Sequence, residues 1–193
     1  MSFIIDHPTS WIGIPERFPF PRAEGAALQN ADEWVDELLD ELADDAGLRE
    51  DQRDAAREVL LMVANTRGER DATRSFIAFA SWDGPVYVVD AIAEEAGVLG
   101  GMTLAQYAGE DDPDQLVQPD VTPFVTESGL DGVRCVRHQR YEEGTGIVMA
   151  RVDYAWLSGE QLLRLTGAQL DLVLFERMLP LTDELAATVA AAG

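Results

Sequence analysis

The stretch VRCVRHQRYE at residues 133–142, followed by EGTG at 143–146 and IVMARVDYAWL at 147–157, decides the fold class. Both arms alternate between apolar and polar residues, as half-buried strands do, and a short glycine-containing segment joins them. The pattern predicts an antiparallel hairpin. A turn centred on residues 143–146 places His138 near Arg151 and Val136 near Asp153 on the neighbouring strands.

The two faces of this predicted hairpin differ in chemistry. One face is apolar and carries Val133, Cys135, Tyr141, Val148, Ala150, Val152, Tyr154 and Trp156. The other face carries Asp153, Val136, Ile147, Met149 and the basic residues Arg134, His138, Arg140 and Arg151. Clustered basic residues are unusual in a chain of net charge −22, so we take these four as candidates for binding a partner or an anion. The alternative is a solvated face, or one covered by an acidic helix.

A helix pair is predicted upstream of the hairpin. Asn30 and Glu33 have the spacing of a capping box, and Gly47 is a typical helix end. A second helix is predicted over residues 51–64, and the short connection favours a helical hairpin. The inward-facing residues at helical spacing are Trp34, Val35, Leu38, Leu39, Leu42 and Ala46 in the first helix and Ala56, Val59, Leu60 and Val63 in the second.

The other predicted elements complete an α+β domain that spans residues 1–193. Its antiparallel sheet is packed by the N-terminal helix pair and by a C-terminal helix. We predict a short edge strand near 11–14, an antiparallel hairpin of strands at 74–81 and 86–90, and a strand at 161–167. We also predict helices at 103–108, capped by Thr103, and at 170–178 and 182–191 with a break at Pro180, and an exposed loop over 110–123.

Three short motifs and the order of elements carry a resemblance to known proteins. The motifs are WIGIP at 11–15, LTG at 165–167 and TDELA at 182–186. With them, the chain resembles small actinobacterial proteins without an assigned activity, and its fold looks like that of the PsbP-like proteins. The resemblance implies a binding or accessory protein, in some members linked to secretion systems, and it transfers no catalytic residues.

Charge and composition exclude several classes of partner and compartment. The chain has 36 acidic residues and 14 arginines, so nucleic acids and anionic membranes would repel it. The longest apolar run, residues 59–64, is far shorter than the roughly 20 residues of a membrane span. A single cysteine forms no internal disulfide, and the N-terminus lacks a basic signal-peptide region. We therefore expect a cytoplasmic protein.

Catalytic and metal-binding motifs are absent from the sequence. The two histidines, His7 and His138, lie far apart, and no paired cysteines or HExxH motif accompany them, so we predict no metal and no cofactor. Cys135 and His138 are three residues apart on one strand and therefore point to opposite faces. Cys135 is interpreted as a small buried hydrophobe. The acidic run at 110–114 is typical of a solvated loop.

Three hypotheses about function follow. The first is a non-enzymatic binding or accessory protein that contacts a protein partner through the arginine-bearing face. The second is a small-molecule-binding domain or enzyme with a pocket between the sheet and the helix pair. The third is an acidic mimic of nucleic acid that binds a basic partner. A flat basic or apolar surface favours the first hypothesis, and a deep pocket favours the second.

Overall fold

The computed structural model describes residues 3–22, 25–45, 48–66, 72–82, 84–142 and 146–192. It has the predicted α+β architecture, in which helices pack on an antiparallel sheet. The helices are α1 (Ala31–Asp45), α2 (Glu50–Thr66), α3 (Leu104–Tyr107) and α4 (Leu172–Ala187). The strands are β1 (Phe3–Ile5), β2 (Ile12–Ile14), β3 (Arg74–Phe79), β4 (Val86–Glu95), β5 (Asp120–Val125), β6 (Asp131–Arg140), β7 (Val148–Ser158), β8 (Gln161–Gln169) and β9 (Val189–Ala191).

Seven of the strands form one sheet in the order β2-β3-β4-β8-β7-β6-β5. All of its neighbouring pairs are antiparallel, and the predicted hairpins β3–β4 and β6–β7 are both present. Strand β2 is at one edge of the sheet, as predicted. Strands β1 and β9 form a separate antiparallel pair that the sequence analysis did not predict.

Helices α1 and α2 cover one face of the sheet at its β2-β3-β4 end. Helix α1 begins as predicted, because the Oδ1 atom of Asn30 accepts a hydrogen bond of 2.9 Å from the backbone N–H of Glu33. The Glu33 carboxylate in turn accepts one of 2.7 Å from the backbone N–H of Gln29. The predicted end of this helix at Gly47 lies outside the described residues. The buried residues of this layer are Ile14, Trp34, Val35, Leu39, Leu48, Ala56, Leu60, Val63 and Ile77.

Helix α4 covers the opposite face. Its N-terminus is capped by Asp171, whose carboxylate accepts hydrogen bonds from the backbone N–H groups of Val173 and Leu174. The buried residues of α4 lie on one face of the helix and pack on the central strands of the sheet. The hydrophobic core on this face of the sheet is larger than the one beneath α1 and α2. The buried aromatic and large aliphatic residues there include Trp11, Phe76, Tyr87, Val89, Val152, Tyr154, Trp156, Leu163, Leu165, Phe175, Met178 and Leu185.

The prediction of a helix break at Pro180 is wrong, because α4 continues through it. A proline inside a helix costs about 3 kcal/mol. Met178 and Leu185 lie on either side of Pro180, and both are fully buried in the same core. A continuous helix keeps the side chains of Met178 and Leu185 buried on one helical face, and this burial offsets the cost of the proline. The hydroxyl of Thr182 donates to the carbonyl of Met178 at 3.0 Å, within the helix rather than at its start.

The predicted loop over residues 110–123 is also partly wrong, since Asp120–Val125 forms strand β5. Pro123 made a strand improbable from sequence, because proline has no N–H for a ladder. Strand β5 is at the edge of the sheet and pairs only with β6 among the described strands, where a proline is tolerated. None of the described helices is both long and apolar enough to cross a membrane.

Candidate functional site

The register of β6 against β7 differs by one residue from the prediction. Arg137 faces Arg151 and His138 faces Ala150, whereas we predicted His138 near Arg151. Most of the turn on which the prediction was centred, residues 143–145, lies outside the described residues. A shift of one residue moves every side chain of one strand to the other face relative to its partner. Arg151 therefore lies on the face opposite to Arg134, His138 and Arg140.

Two of the predicted site residues are engaged beneath α4. The side chain of Arg134 is 17% exposed, and its Nε atom donates to the Oδ1 atom of Asp183 at 2.9 Å. The Tyr154 hydroxyl donates to the same oxygen at 2.6 Å, and burial together with this bond raises the pKa of Tyr154 above its ordinary range. The ring of His138 lies edge-on to that of Phe175, with 6.2 Å between centroids. These contacts attach helix α4 to the sheet.

Arg140 is the exposed member of the predicted set. It is the last residue of β6, and its backbone N–H donates to the carbonyl of Asp114 at 3.0 Å. Arg134, His138 and Arg140 thus share a face, but helix α4 occupies much of it. The four predicted residues do not form one basic surface.

The other face contains an arrangement that the sequence analysis missed, centred on Asp153. The side chain of Asp153 is 0% exposed. Arg151 donates to both of its carboxylate oxygens, at 2.9 and 3.1 Å, in a bidentate pair. The Nη2 atom of Arg137 lies 3.1 Å from Oδ2 of the same carboxylate. The Nε atom of Arg164 lies 4.0 Å from its Oδ1. Three guanidinium groups therefore surround one buried carboxylate.

Arg137 is held below the surface by residues 103–112, which contain helix α3 and are called the α3 segment from here on. Its side chain is 4% exposed, and its Nη1 atom donates to the carbonyl of Ala108 at 2.5 Å. Its Nε atom donates to Gln139 at 3.1 Å and lies 3.6 Å from Asp112. Helix α3 begins as predicted with Thr103 as its cap, and the structure shows a complete capping box with Gln106. This helix lies over β6 and β7. Cys135 is buried on the same face, and burial raises the pKa of its thiol.

Arg164 makes fewer hydrogen bonds to the residues that the structure describes than Arg137 and Arg151 do. Its guanidinium lies over the ring of Tyr107, 5.0 Å from the centroid. The Tyr107 hydroxyl donates to the carboxylate of Glu94. Burial and this hydrogen bond raise the pKa of Tyr107, so the phenol stays protonated beside the arginine. The Nε atom of Arg164 is buried, and it donates no hydrogen bond to any residue that the structure describes.

Arg151 and Arg164 line an open cleft of about 670 Å³ on this face of the sheet. Strands β4, β7 and β8 form its floor, and the C-terminal part of α2 forms one wall. The cleft exists because α1 and α2 cover one end of this face and the α3 segment covers the other. Its lining residues are Met62, Val63, Thr66, Val88, Asp90, Ile92, Met149, Arg151, Arg164, Thr166 and Ala168.

Charge is unevenly distributed along the cleft. Among the described residues, the carboxylates within 4.0 Å of Arg137, Arg151 and Arg164 are those of Asp153 and Asp112. The Glu94 carboxylate, which accepts the hydrogen bond from the Tyr107 hydroxyl under Arg164, is a third negative group nearby. In a chain of net charge −22, this part of the sheet face is therefore close to neutral. Its clustered guanidinium groups make the β7–β8 end of the cleft suited to an anionic group.

Arg137 and Arg164 were not predicted as site residues. Arg137 follows Cys135 at strand spacing, so the alternation placed it on the face that we took to be apolar. An arginine at such a position, with an aspartate on the adjacent strand, is a signal for a buried ion pair. Arg164 stands alone between leucines in β8 and carries no comparable signal.

Two comparisons of the sequence with known proteins gave no match. The sequence fits no protein-family model, and no curated protein is significantly similar to it. In the part of the chain that the structure describes, no three His, Cys, Asp or Glu side chains are grouped so that they could hold a metal ion.

Proposed function

We propose that this chain is a non-enzymatic binding protein, whose ligand is a small anionic molecule held in the cleft between β4, β8, β7 and α2. The observation that carries the proposal is the sharing of one buried carboxylate by three arginines, two of which line the cleft. It combines the non-enzymatic character of the first hypothesis raised from the sequence with the small-molecule pocket between the sheet and the helix pair of the second.

The arginines are suited to an oxyanion for two physical reasons. A guanidinium group presents a planar set of five N–H donors, which matches carboxylate and phosphate groups. Arg151 uses one edge of this set on Asp153, with bonds from Nε and Nη2. Arg164 makes a long contact of 4.0 Å to the same carboxylate. A buried donor without a partner costs about 1–3 kcal/mol, so Arg164 gains from a second acceptor.

The rest of the cleft is suited to an apolar body. Met62 and Met149 are flexible side chains that adapt to the shape of a ligand, and Val88 and Ile92 form an aliphatic floor. A ligand with a carboxylate or phosphate at one end and a hydrocarbon part at the other would satisfy both regions. Mostly apolar lining with a few convergent polar groups is the usual composition of a small-molecule site.

The geometry favours this function over the predicted protein contact through an arginine-bearing face. That hypothesis needed Arg134, His138, Arg140 and Arg151 to lie on one accessible surface. Arg151 lies on the opposite face, and Arg134 is bonded to Asp183 beneath α4. A protein partner, and the role of an acidic nucleic-acid mimic, stay predictions from the sequence.

Isothermal titration calorimetry with simple anions tests the proposal. The probes are hexanoate and hexyl phosphate, with 1-hexanol as the neutral analogue of equal chain length. We expect both anions to bind and the alcohol not to bind. The variant Arg164→Gln should lose affinity by about tenfold or more, since a charge-assisted contact is removed.

The matched control is Arg140→Gln, which removes an exposed arginine on the other face and should leave binding unchanged. Circular dichroism establishes that both variants are folded. If neither anion binds, or if Arg164→Gln binds both as tightly as the wild type, the proposal is wrong.

A further inference from the structure

We propose that the ligand of this cleft is a single-chain anionic amphiphile, whose hydrocarbon part is about ten to twelve carbons long and lies along β8, away from the arginines. The inference rests on the proposed function, and it adds the length and the direction of the ligand. The observation behind it is the extent of the cleft, which continues well beyond its charged groups.

Positions on β7 give the length of the apolar part of the cleft. The guanidinium groups surround the carboxylate of Asp153, and Met149, which lines the cleft, is four residues away on the same strand. Since a strand advances about 3.3 Å per residue, the two residues are roughly 13 Å apart. Each residue contributes three main-chain bonds, so an extended hydrocarbon chain of about ten to twelve carbons covers this distance. Hexanoate, bound by its carboxylate near Asp153, would end about half-way to Met149.

The α3 segment bounds the arginine end of the cleft. The guanidinium group of Arg164 lies over the ring of Tyr107, 5.0 Å from its centroid. Arg151 is directed to the same end, because it forms a bidentate pair with Asp153. A ligand whose anionic group is bound by Arg151 and Arg164 therefore extends in the opposite direction, towards Met149.

Both cleft arginines keep donors for the anionic group. The side chains of Arg151 and Arg164 are 23% and 24% exposed. Arg151 uses Nε and Nη2 on Asp153, and its Nη1 atom donates no hydrogen bond to any residue that the structure describes. The same is true of both Nη atoms of Arg164. Of these donors without a protein partner, only the Nε atom of Arg164 is buried, so the Nη atoms are accessible to a ligand.

The floor beyond the arginines is suited to a hydrocarbon chain. Strand β8 contributes the small side chains of Thr166 and Ala168, and the neighbouring strands contribute the larger Val88 and Met149 on either side. The α2 wall adds Met62, which is 55% exposed. A chain that lies along β8 removes these apolar side chains from water, and the two flexible methionines adapt to its path.

The net charge of the protein favours a free amphiphile over a membrane surface. A chain of net charge −22 is repelled by the many negative charges of an anionic bilayer. A single amphiphile carries its charge at one end only, where the guanidinium groups are clustered. We therefore assign the cleft to a monomeric amphiphile and use vesicles as the contrasting probe.

Isothermal titration calorimetry with hexanoate, octanoate, decanoate, dodecanoate and tetradecanoate, each below its critical micelle concentration, tests the inference. Full burial of a CH₂ group strengthens binding by about fourfold, and in an open cleft we expect about twofold per group. Dodecanoate should therefore bind about 50-fold more tightly than hexanoate. Tetradecanoate should gain less than about twofold over dodecanoate, because its last carbons extend past Met149. Vesicles of phosphatidylglycerol should not sediment the protein.

Variants at the far end of the cleft locate the chain. Met149→Gln should weaken dodecanoate binding by about fivefold or more and leave hexanoate within about twofold, because hexanoate does not reach this residue. Met62→Gln, at an exposed position on α2, tests the same contact from the wall. The matched control is Met102→Gln, which changes a 45% exposed methionine outside the cleft and should alter neither affinity. Arg164→Gln should weaken both anions by the same factor. Circular dichroism establishes that the variants are folded.

The outcomes separate this inference from the proposed function. If hexanoate binds and dodecanoate binds no more tightly, the cleft takes short anions and the inference is overturned, while the proposed function stands. It is also overturned if Met149→Gln and Met62→Gln leave the gain with chain length unchanged, if the gain continues undiminished to tetradecanoate, or if the protein sediments with the vesicles. If none of the five carboxylates binds and hexyl phosphate also fails, the proposed function itself is wrong.

Discussion

A Cβ atom placed on Gly109 would lie 1.1 Å from the Nη1 atom of Arg137. Gly109 therefore leaves the space through which this guanidinium reaches the carbonyl of Ala108 and the carboxylate of Asp153. It also has a positive φ of +99°, a conformation that other residues rarely adopt. The buried charge centre beneath the cleft thus depends on a residue without a side chain in the α3 segment.

The substitution Gly109→Ala should lower the free energy of unfolding by about 3 kcal/mol or more, because it displaces a buried arginine and strains the backbone. Urea denaturation measures the change. The matched control is Gly97→Ala, where an added Cβ meets nothing within 4 Å. The control should stay within about 0.5 kcal/mol of the wild type. Equal stability of the two variants would contradict the role assigned to Gly109.

Removing the charge of Asp153 alone should be more damaging than removing it together with Arg137, the most buried of its three arginines. Asp153→Leu leaves the 4%-exposed Arg137 without its buried counterion, and we expect a loss of about 3–5 kcal/mol in the free energy of unfolding. The double variant Arg137→Met with Asp153→Leu leaves only the more exposed Arg151 and Arg164 without this carboxylate and should recover part of that loss. A double-mutant cycle of Arg137→Met and Asp153→Leu in urea checks this. Strictly additive losses would show that the two side chains are not coupled.

Stability should fall at alkaline pH, in part because of Tyr107. Its pKa is raised in the folded state by burial and by the hydrogen bond to Glu94, relative to an ordinary value of about 10. The folded state therefore binds the phenolic proton more tightly than the unfolded state does. The stabilisation is fully present below about pH 10 and is lost as pH rises from there towards the folded pKa.

The measurement for Tyr107 is urea denaturation at about pH 8 and about pH 11 for the wild type and for Tyr107→Phe. The wild type should lose more stability over this range than the variant, which has no phenol to ionise at this position. Tyr154, whose pKa is also raised, contributes equally to both proteins. Parallel losses in the two proteins would exclude a contribution from Tyr107.

Charge reversal should separate the structural from the exposed members of the predicted arginine set. Arg134→Glu places a carboxylate beside Asp183, where the native Nε–Oδ1 distance is 2.9 Å, and should lower the midpoint of thermal unfolding by several degrees. Arg140→Glu changes an exposed residue at the end of β6 and should have almost no effect. Differential scanning calorimetry compares the two. If Arg140→Glu proved the more damaging, the assignment of α4 contacts to Arg134 would be wrong.

Most of the elements could be predicted from the sequence because their signals are local. The helix caps at Asn30 and Thr103 depend on residues within one helical turn, and both are present. The hairpins depend on alternation in two adjacent stretches, and both are present. The missed strand β5 and the uninterrupted helix α4 each contain a proline, whose local penalty was outweighed by distant contacts.

Local sequence signals could not predict the register of β6 against β7. Register follows from the pattern of a strand when one of its faces is solvated. Strand β6 is covered on both faces, by the α3 segment over Cys135 and by α4 over Val136. Both of its faces therefore carry apolar as well as basic residues. Because neither face of β6 is solvated, the alternation of its residues does not indicate which register is correct. The arginine face was predicted from a pairing that is shifted by one residue from the observed one.

The sequence by itself determined the α+β class, the antiparallel hairpins, the helix pair and the strong net negative charge of this protein, since each depends on composition or on neighbours along the chain. Only the tertiary structure decided the candidate site. Arg137, Arg151 and Arg164 come from three strands, and Asp153 is buried among them because the α3 segment closes over that part of the sheet. The cleft beside them lies between α2 and the α3 segment, which are distant in sequence. No local pattern encodes that separation, because it is set by how the two segments pack on one sheet.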